Sequence, residues 1–180
     1  LVILGFNFHA FGELMHPFES HIRNVPDFPK EGIIFKDITP LLQERFNEVI
    51  EAMARTINWD EIDYVVGIES RGFILGAAMA TLKGKGFIPV RKKGKLPPPV
   101  ISESYALEYG TDTLEMIINS KPGRVVLVDD VLATGGTLNA VMNLCQKNKF
   151  EVKALSLLIN LTFLNKFTED GHPVHSVINY

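Results

Sequence analysis

Two periodicities alternate along this chain. Apolar-rich runs of strand length occur at Tyr64–Ile68, Phe87–Val90, Val125–Val128, Val152–Ile159 and Val174–Ile178, and the unbroken Tyr64–Ile68 and Val125–Val128 suit strands covered on both faces. Helical spacing separates several of them. Phe46, Val49, Ile50, Met53 and Ile57 mark one amphipathic face, a first crossover candidate. Phe73–Lys83 predicts a small-residue helix stopped at Gly84, and Leu138, Val141, Met142 and Cys145 fall at i, i+3, i+4 and i+7. Strand–helix alternation with short links predicts an α/β fold, a mainly parallel sheet flanked by helices. Upstream, Phe18, Ile22 and Val25 predict a short helix closed by Pro26 and Pro29, followed by a loop around a brief strand, Ile33-Ile34-Phe35. Residues 100–118 alternate in part and break at Gly110-Thr111-Asp112, which predicts a hairpin or meander set off from the main sheet.

Composition narrows the class. A chain of 180 residues, 46% hydrophobic and 22% charged, suits one soluble domain with a sizeable core. A net charge of −3 argues against general nucleic-acid binding, and residues 1–12 are apolar but too short to span a bilayer. Residues 1–14 are expected to include an extension outside the catalytic fold, packing against the body being the alternative, with 15–180 forming a single domain. One cysteine, Cys145, permits no intramolecular disulfide, which fits a reducing, cytoplasmic compartment. The five histidines show no metal-ligand spacing near the candidate site below.

That site centres on residues 124–137, RVVLVDDVLATGGT. The apolar run leads into Asp129 and Asp130, placed where such a strand should end. Ala133, Thr134, Gly135, Gly136 and Thr137 then supply small residues, backbone N–H groups and two hydroxyls ahead of a helix. A glycine-rich turn entering a helix N-terminus is an anion site, because unpaired N–H groups and the positive dipole end point the same way. Two carboxylates about 5 Å apart repel by on the order of 3 kcal/mol at an effective dielectric near 20, so the pair needs water, a cation or donating hydroxyls. Acid beside a phosphate cradle suits a ribose 5-phosphate, whereas a solvated strand-to-helix turn would carry the same glycines. A P-loop kinase is disfavoured because no Gly-Lys-Ser/Thr ends the loop. In a receiver-like phospho-acceptor, Thr134–Thr137 would have no purpose.

VVLVDDVLATGGT resembles the phosphoribosyl pyrophosphate (PRPP) signature of the type I phosphoribosyltransferases. Four further segments share the resemblance, which extends over about residues 17–180. It implies the type I fold with a small hood region, Mg²⁺ carried mainly by PRPP and pyrophosphate rather than by protein ligands, and a homodimer. GIESRGF is similar to the pyrophosphate loop, implying roles for Ser70 and Arg71; plain helix capping by Ser70 is the alternative. RKKGKLP is similar to the family's flexible loop and implies Arg91, Lys92 and Lys95 as further pyrophosphate contacts, some of them toward a neighbouring subunit. SYALEYG is similar to the family segment that carries the catalytic carboxylate, implying that role for Glu108 and a donor to the ligand at Tyr105.

DFPKEGIIFKDITPLL resembles the adenine-specific subgroup and implies base recognition around Ile33, Ile34, Phe35 and Lys36, with Leu161 as a further base-pocket residue. The family commonly has arginine where Lys36 stands, and lysine cannot form arginine's bidentate fork. The expected reaction joins adenine and PRPP to give AMP and pyrophosphate. The runner-up is a phosphoribosyltransferase for hypoxanthine, guanine or xanthine. A PRPP-sensing regulator that binds nucleic acid would need an added basic segment, for which residues 1–26 are too short and too weakly charged.

Overall fold

Val65, Val66 and Ile68 are fully buried at the centre of the fold, as are Val125 to Val128, which pair with the same strand. A computed structural model describes residues 16–28, 30–32, 34–107, 110–118, 121–167 and 173–180. The proposed extension, residues 1–14, lies outside the described residues. The chain divides into two compact units, Leu1–Val49 and Ile50–Tyr180.

In the first unit, β1 (Arg23–Pro26) pairs antiparallel with β2 (Ile34–Asp37) in a separate two-stranded sheet. The short helix expected over Phe18–Val25 is corrected: only a 3-10 turn, Glu19–His21, forms there, and Val25 pairs with Phe35 as a strand residue. Pro26 leaves too few residues for a helix to nucleate, so β-branched Val25 takes the extended partner on offer. Asp37 ties the sheet to the next element. Its Oδ2 accepts from Arg23 Nε and Nη2, and its Oδ1 accepts from the Thr39 N–H at the start of α1 (Thr39–Ala54). Since β2 lies outside the main sheet, α1 is not the crossover its spacing suggested.

The second unit holds a seven-stranded sheet in the order β5-β6-β4-β3-β7-β8-β9. β3 (Tyr64–Ile68), β4 (Gly86–Lys92), β7 (Gly123–Leu132), β8 (Phe150–Asn160) and β9 (Val174–Asn179) run parallel. α2 (Arg71–Lys83) links β3 to β4 and ends at Gly84, whose left-handed backbone lets its N–H reach the Ala80 and Thr81 carbonyls. α3 (Gly136–Lys147) links β7 to β8 and buries Leu138, Val141, Leu144 and Cys145.

β5 (Val100–Leu107) and β6 (Gly110–Ile117) form the expected hairpin, but it is not set off. β6 pairs antiparallel with the end of β4 through Arg91–Glu115 and Lys92–Leu114, so the hairpin completes the sheet. Polar side chains of α3 and its C-cap hold it: Asn143 and Lys147 bond Glu103, and the cap residue Asn148 donates to the Ile117 carbonyl.

Candidate active site

The acidic pair does not end its strand. β7 loses β3 as a partner after Val128 yet stays paired with β8 as far as Leu132. Asp129 and Asp130 therefore sit on a strand covered on one edge and open on the other, where the β3–α2 turn enters. α2 comes in close because its second residue is Gly72. A Cβ there would stand 2.7 Å from the Val128 carbonyl oxygen and 2.9 Å from Asp129 Oδ1.

That approach carries Arg71 onto the pair. Its Nη2 lies 2.8 Å from Asp130 Oδ2, an ion pair without an aligned hydrogen bond. Asp129 Oδ1 instead accepts from the Asp130 backbone N–H at 2.9 Å. Burial first, and the Asp130 charge second, raise the Asp129 carboxyl well above the usual carboxylate range. One carboxylate is thus matched by a guanidinium, and its neighbour is inclined to hold a proton.

Past Leu132, Ala133 and Thr134 turn the chain into Gly135, which precedes α3 at φ 87°. The Gly135 carbonyl accepts from Asn139, and the cap has no side chain of its own to occupy the first helical N–H groups. Thr134 is exposed and Thr137 half-buried at this turn. Arg71 follows the end of β3, Asp129 and Asp130 lie among the last residues of β7 before the turn, and residues 133–137 follow β7, all toward the carboxyl ends of the parallel strands, the usual ligand side of such a fold.

Ser70 occupies the N-cap position of α2 without a side-chain capping bond, so its exposed hydroxyl is not used as a helix cap. Its neighbour Glu69 organises the basic segment. Glu69 Oε2 accepts from Arg91 Nε at 3.0 Å and from the Lys92 backbone N–H at 3.1 Å. Burial opposes ionisation of Glu69, but these donors prevail and hold its carboxyl below the ordinary range. Arg91 also bonds the Lys95 carbonyl and lies over the Phe73 ring. The Lys92 ammonium turns to Asp112 on β6 at 3.2 Å, while Lys95 is exposed.

A phosphoribosyl transferase domain matches residues 37–162. The chain belongs to the phosphoribosyltransferase family. Its relatives there include the adenine phosphoribosyltransferase of Bdellovibrio bacteriovorus, 52% identical, with 90% of this chain and 98% of that protein covered. Among solved structures, the adenine phosphoribosyltransferase of Rhodothermus marinus superposes with a TM-score of 0.83 at 48% identity, covering 91% of this chain and 96% of that one. The Saccharomyces cerevisiae enzyme, complexed with an imino-altritol bisphosphate and adenine, gives 0.81 at 34% identity, covering 88% and 95%.

Other expected phosphoribosyltransferase site residues are placed less tightly. Glu108 and Ile33 lie outside the described residues. Tyr105, on β5, packs partly against the main core. Leu161 follows β8 fully buried, its N–H donating to the Leu132 carbonyl at 2.9 Å. Ile34, Phe35 and Lys36 belong to the first unit, where Phe28 meets the Phe35 ring edge-on at 5.2 Å. Lys36 is half-buried, and burial lowers its pKa against a counteracting pull from Glu19. The turn at residues 69–72 follows a predicted strand end and reads as one lining loop of the crevice, without separate roles for Glu69 and Gly72; nothing in the sequence points to Phe167. Glu69 and Gly72 fall inside GIESRGF, whereas Phe167 belongs to no motif.

Proposed function

We infer that this phosphoribosyltransferase joins adenine to PRPP, giving AMP and pyrophosphate. The observation that carries this reading is the acidic pair of β7, separated from the Ala133–Thr137 turn only by Val131 and Leu132, in a chain half identical to named adenine phosphoribosyltransferases over nine-tenths of its length. Ala133, Thr134, Gly135, Gly136 and Thr137 take the 5-phosphate, and Asp129 and Asp130 take the ribose hydroxyls. Ser70, Arg71, Arg91, Lys92 and Lys95 serve the pyrophosphate. The bond from an adenine nitrogen to the anomeric carbon forms as the bond to pyrophosphate oxygen breaks, the electron pair leaving with pyrophosphate. Glu108 takes the proton that adenine sheds. Negative charge at the acidic pair offsets positive charge developing on the ring in the transition state. Ile34, Phe35, Lys36 and Leu161 are proposed adenine contacts on the strength of the motif match.

Mg²⁺ is the proposed cofactor. Asp130 is matched by Arg71, and among the described residues no three His, Cys, Asp or Glu gather around one point. The carboxylate oxygens of Asp129 and Asp130 suit a hard cation, and the family resemblance implies that it arrives on substrate oxygens. When bound there, Mg²⁺ eases departure of the pyrophosphate. A homodimer is proposed as well. On α2, Ile74 and Leu82 present apolar side chains that are 50% and 49% exposed. Among the described residues no helix is long and apolar enough to cross a membrane, and a cytoplasmic location is proposed from the lone reduced Cys145.

The test is AMP formation from PRPP and Mg²⁺ with each purine base in turn. Product from adenine alone is expected; comparable product from guanine or hypoxanthine would reassign the base.

A further inference from the structure

Beneath the proposed 5-phosphate turn lies a residue that no motif contains. A Cβ added to Gly135 would stand 2.3 Å and 2.6 Å from two ring carbons of Phe167, so the ring edge occupies the place of the missing side chain. Phe167 is 4% exposed and belongs to the core cluster that includes Leu132, Leu138 and Leu157. Asn165 fixes the approach of the ring. Its Nδ2 donates to Asn160 Oδ1 at 3.0 Å and to the Leu161 carbonyl at 2.8 Å, while its Oδ1 accepts from the Phe167 N–H at 3.3 Å. The Leu161 N–H in turn bonds the Leu132 carbonyl, the last residue before the turn. The ends of β7 and β8 and the segment 161–167 therefore form one hydrogen-bonded piece, with an aromatic edge pressed on a left-handed glycine.

We propose that Phe167 and Asn165 are positioning residues that set the Ala133–Thr137 turn in its phosphate-binding shape. Gly135 by itself can adopt a wide range of backbone angles, and each alternative would misdirect the N–H groups that follow it. The ring edge blocks that freedom before ligand arrives, so the ordering cost is met in folding rather than at binding. Neither side chain needs to touch substrate. The proposal rests on the reading of residues 133–137 as the 5-phosphate site.

The test compares full-length wild type with Asn165→Ala and Phe167→Leu, which leaves an aliphatic filler where alanine would open a cavity. Ribose 5-phosphate and magnesium pyrophosphate are titrated separately by calorimetry, and kcat and the KM for PRPP are measured alongside. A disordered turn should weaken ribose 5-phosphate and raise the KM for PRPP by about tenfold, the scale of one lost hydrogen bond. Pyrophosphate affinity, and kcat at saturating PRPP, should stay within about twofold. Unchanged ribose 5-phosphate affinity in both variants overturns the proposal, as does an equal loss of both ligands, which would mean general damage to the fold. Failure of wild type itself to bind ribose 5-phosphate would instead remove the reading of the turn, and the proposal with it.

Discussion

Replacing Gly72 with alanine isolates the close approach on which the site depends. The added Cβ would meet the Val128 carbonyl oxygen at 2.7 Å, against an ordinary contact that begins at 3.4 Å. That oxygen belongs to a central strand, so α2 must give way, by about 0.7 Å on the difference of those distances. Arg71 is the preceding residue and moves with the helix. Its 2.8 Å contact with Asp130 would then lengthen toward about 3.5 Å, leaving a buried carboxylate poorly matched. Overpacking of this kind costs about 1–3 kcal/mol of stability, and misplacement approaching 1 Å can cost up to about 100-fold in rate. The expected result is a lower Tm together with a fall of roughly 10- to 100-fold in kcat/KM for PRPP, followed as AMP formation. Gly84→Ala is the control. Nothing lies within 4 Å of its added Cβ, but its φ of 62° penalises any side chain by about 1–2 kcal/mol. It should lower Tm and leave the kinetics alone. Wild-type kcat/KM in Gly72→Ala, or an equal kinetic loss in Gly84→Ala, would refute the reasoning.

Glu108→Gln should depress kcat far more than PRPP affinity; near-normal turnover would take the acid–base role from Glu108. Asp129→Asn should separate stability from function. The folded pKa of Asp129 is raised, so between its unfolded and folded values the native state holds the extra proton, and stability falls as pH rises through that window. The variant should therefore melt above wild type at alkaline pH, with the difference shrinking as pH is lowered, while PRPP binding weakens. A variant that melts lower at every pH would contradict the burial argument. Burial pushes the Cys145 thiol up to about 12, so a thiol reagent should label it only after denaturation, and fast labelling of native protein would contradict its placement in the core.

Legibility in the sequence followed the distance over which each residue acts. Tyr64–Ile68 reads as a strand because burial on both faces leaves nothing polar in it, and Gly84 reads as a stop because a left-handed cap favours glycine. The acidic pair and the glycine turn are contiguous, so their joint chemistry could be read along the chain. The length of β7 could not. Charged residues suggested an end at Val128, whereas β8 keeps pairing it through Leu132. Val25 misled for a related reason: its helical spacing from Phe18 and Ile22 is local, while its pairing with Phe35 spans ten residues. The hairpin's place in the sheet depended on Arg91 meeting Glu115, and the role of Phe167 on Gly135 lying 32 residues earlier. Neither contact leaves a local pattern.

The most direct measurement is a crystal structure of the protein grown with AMP. The 5′-phosphate should lie within hydrogen-bond distance of the N–H groups of Gly135, Gly136 and Thr137, with the ribose hydroxyls on the Asp129 and Asp130 carboxylates. A nucleotide bound elsewhere, with that turn free of phosphate, would contradict the account.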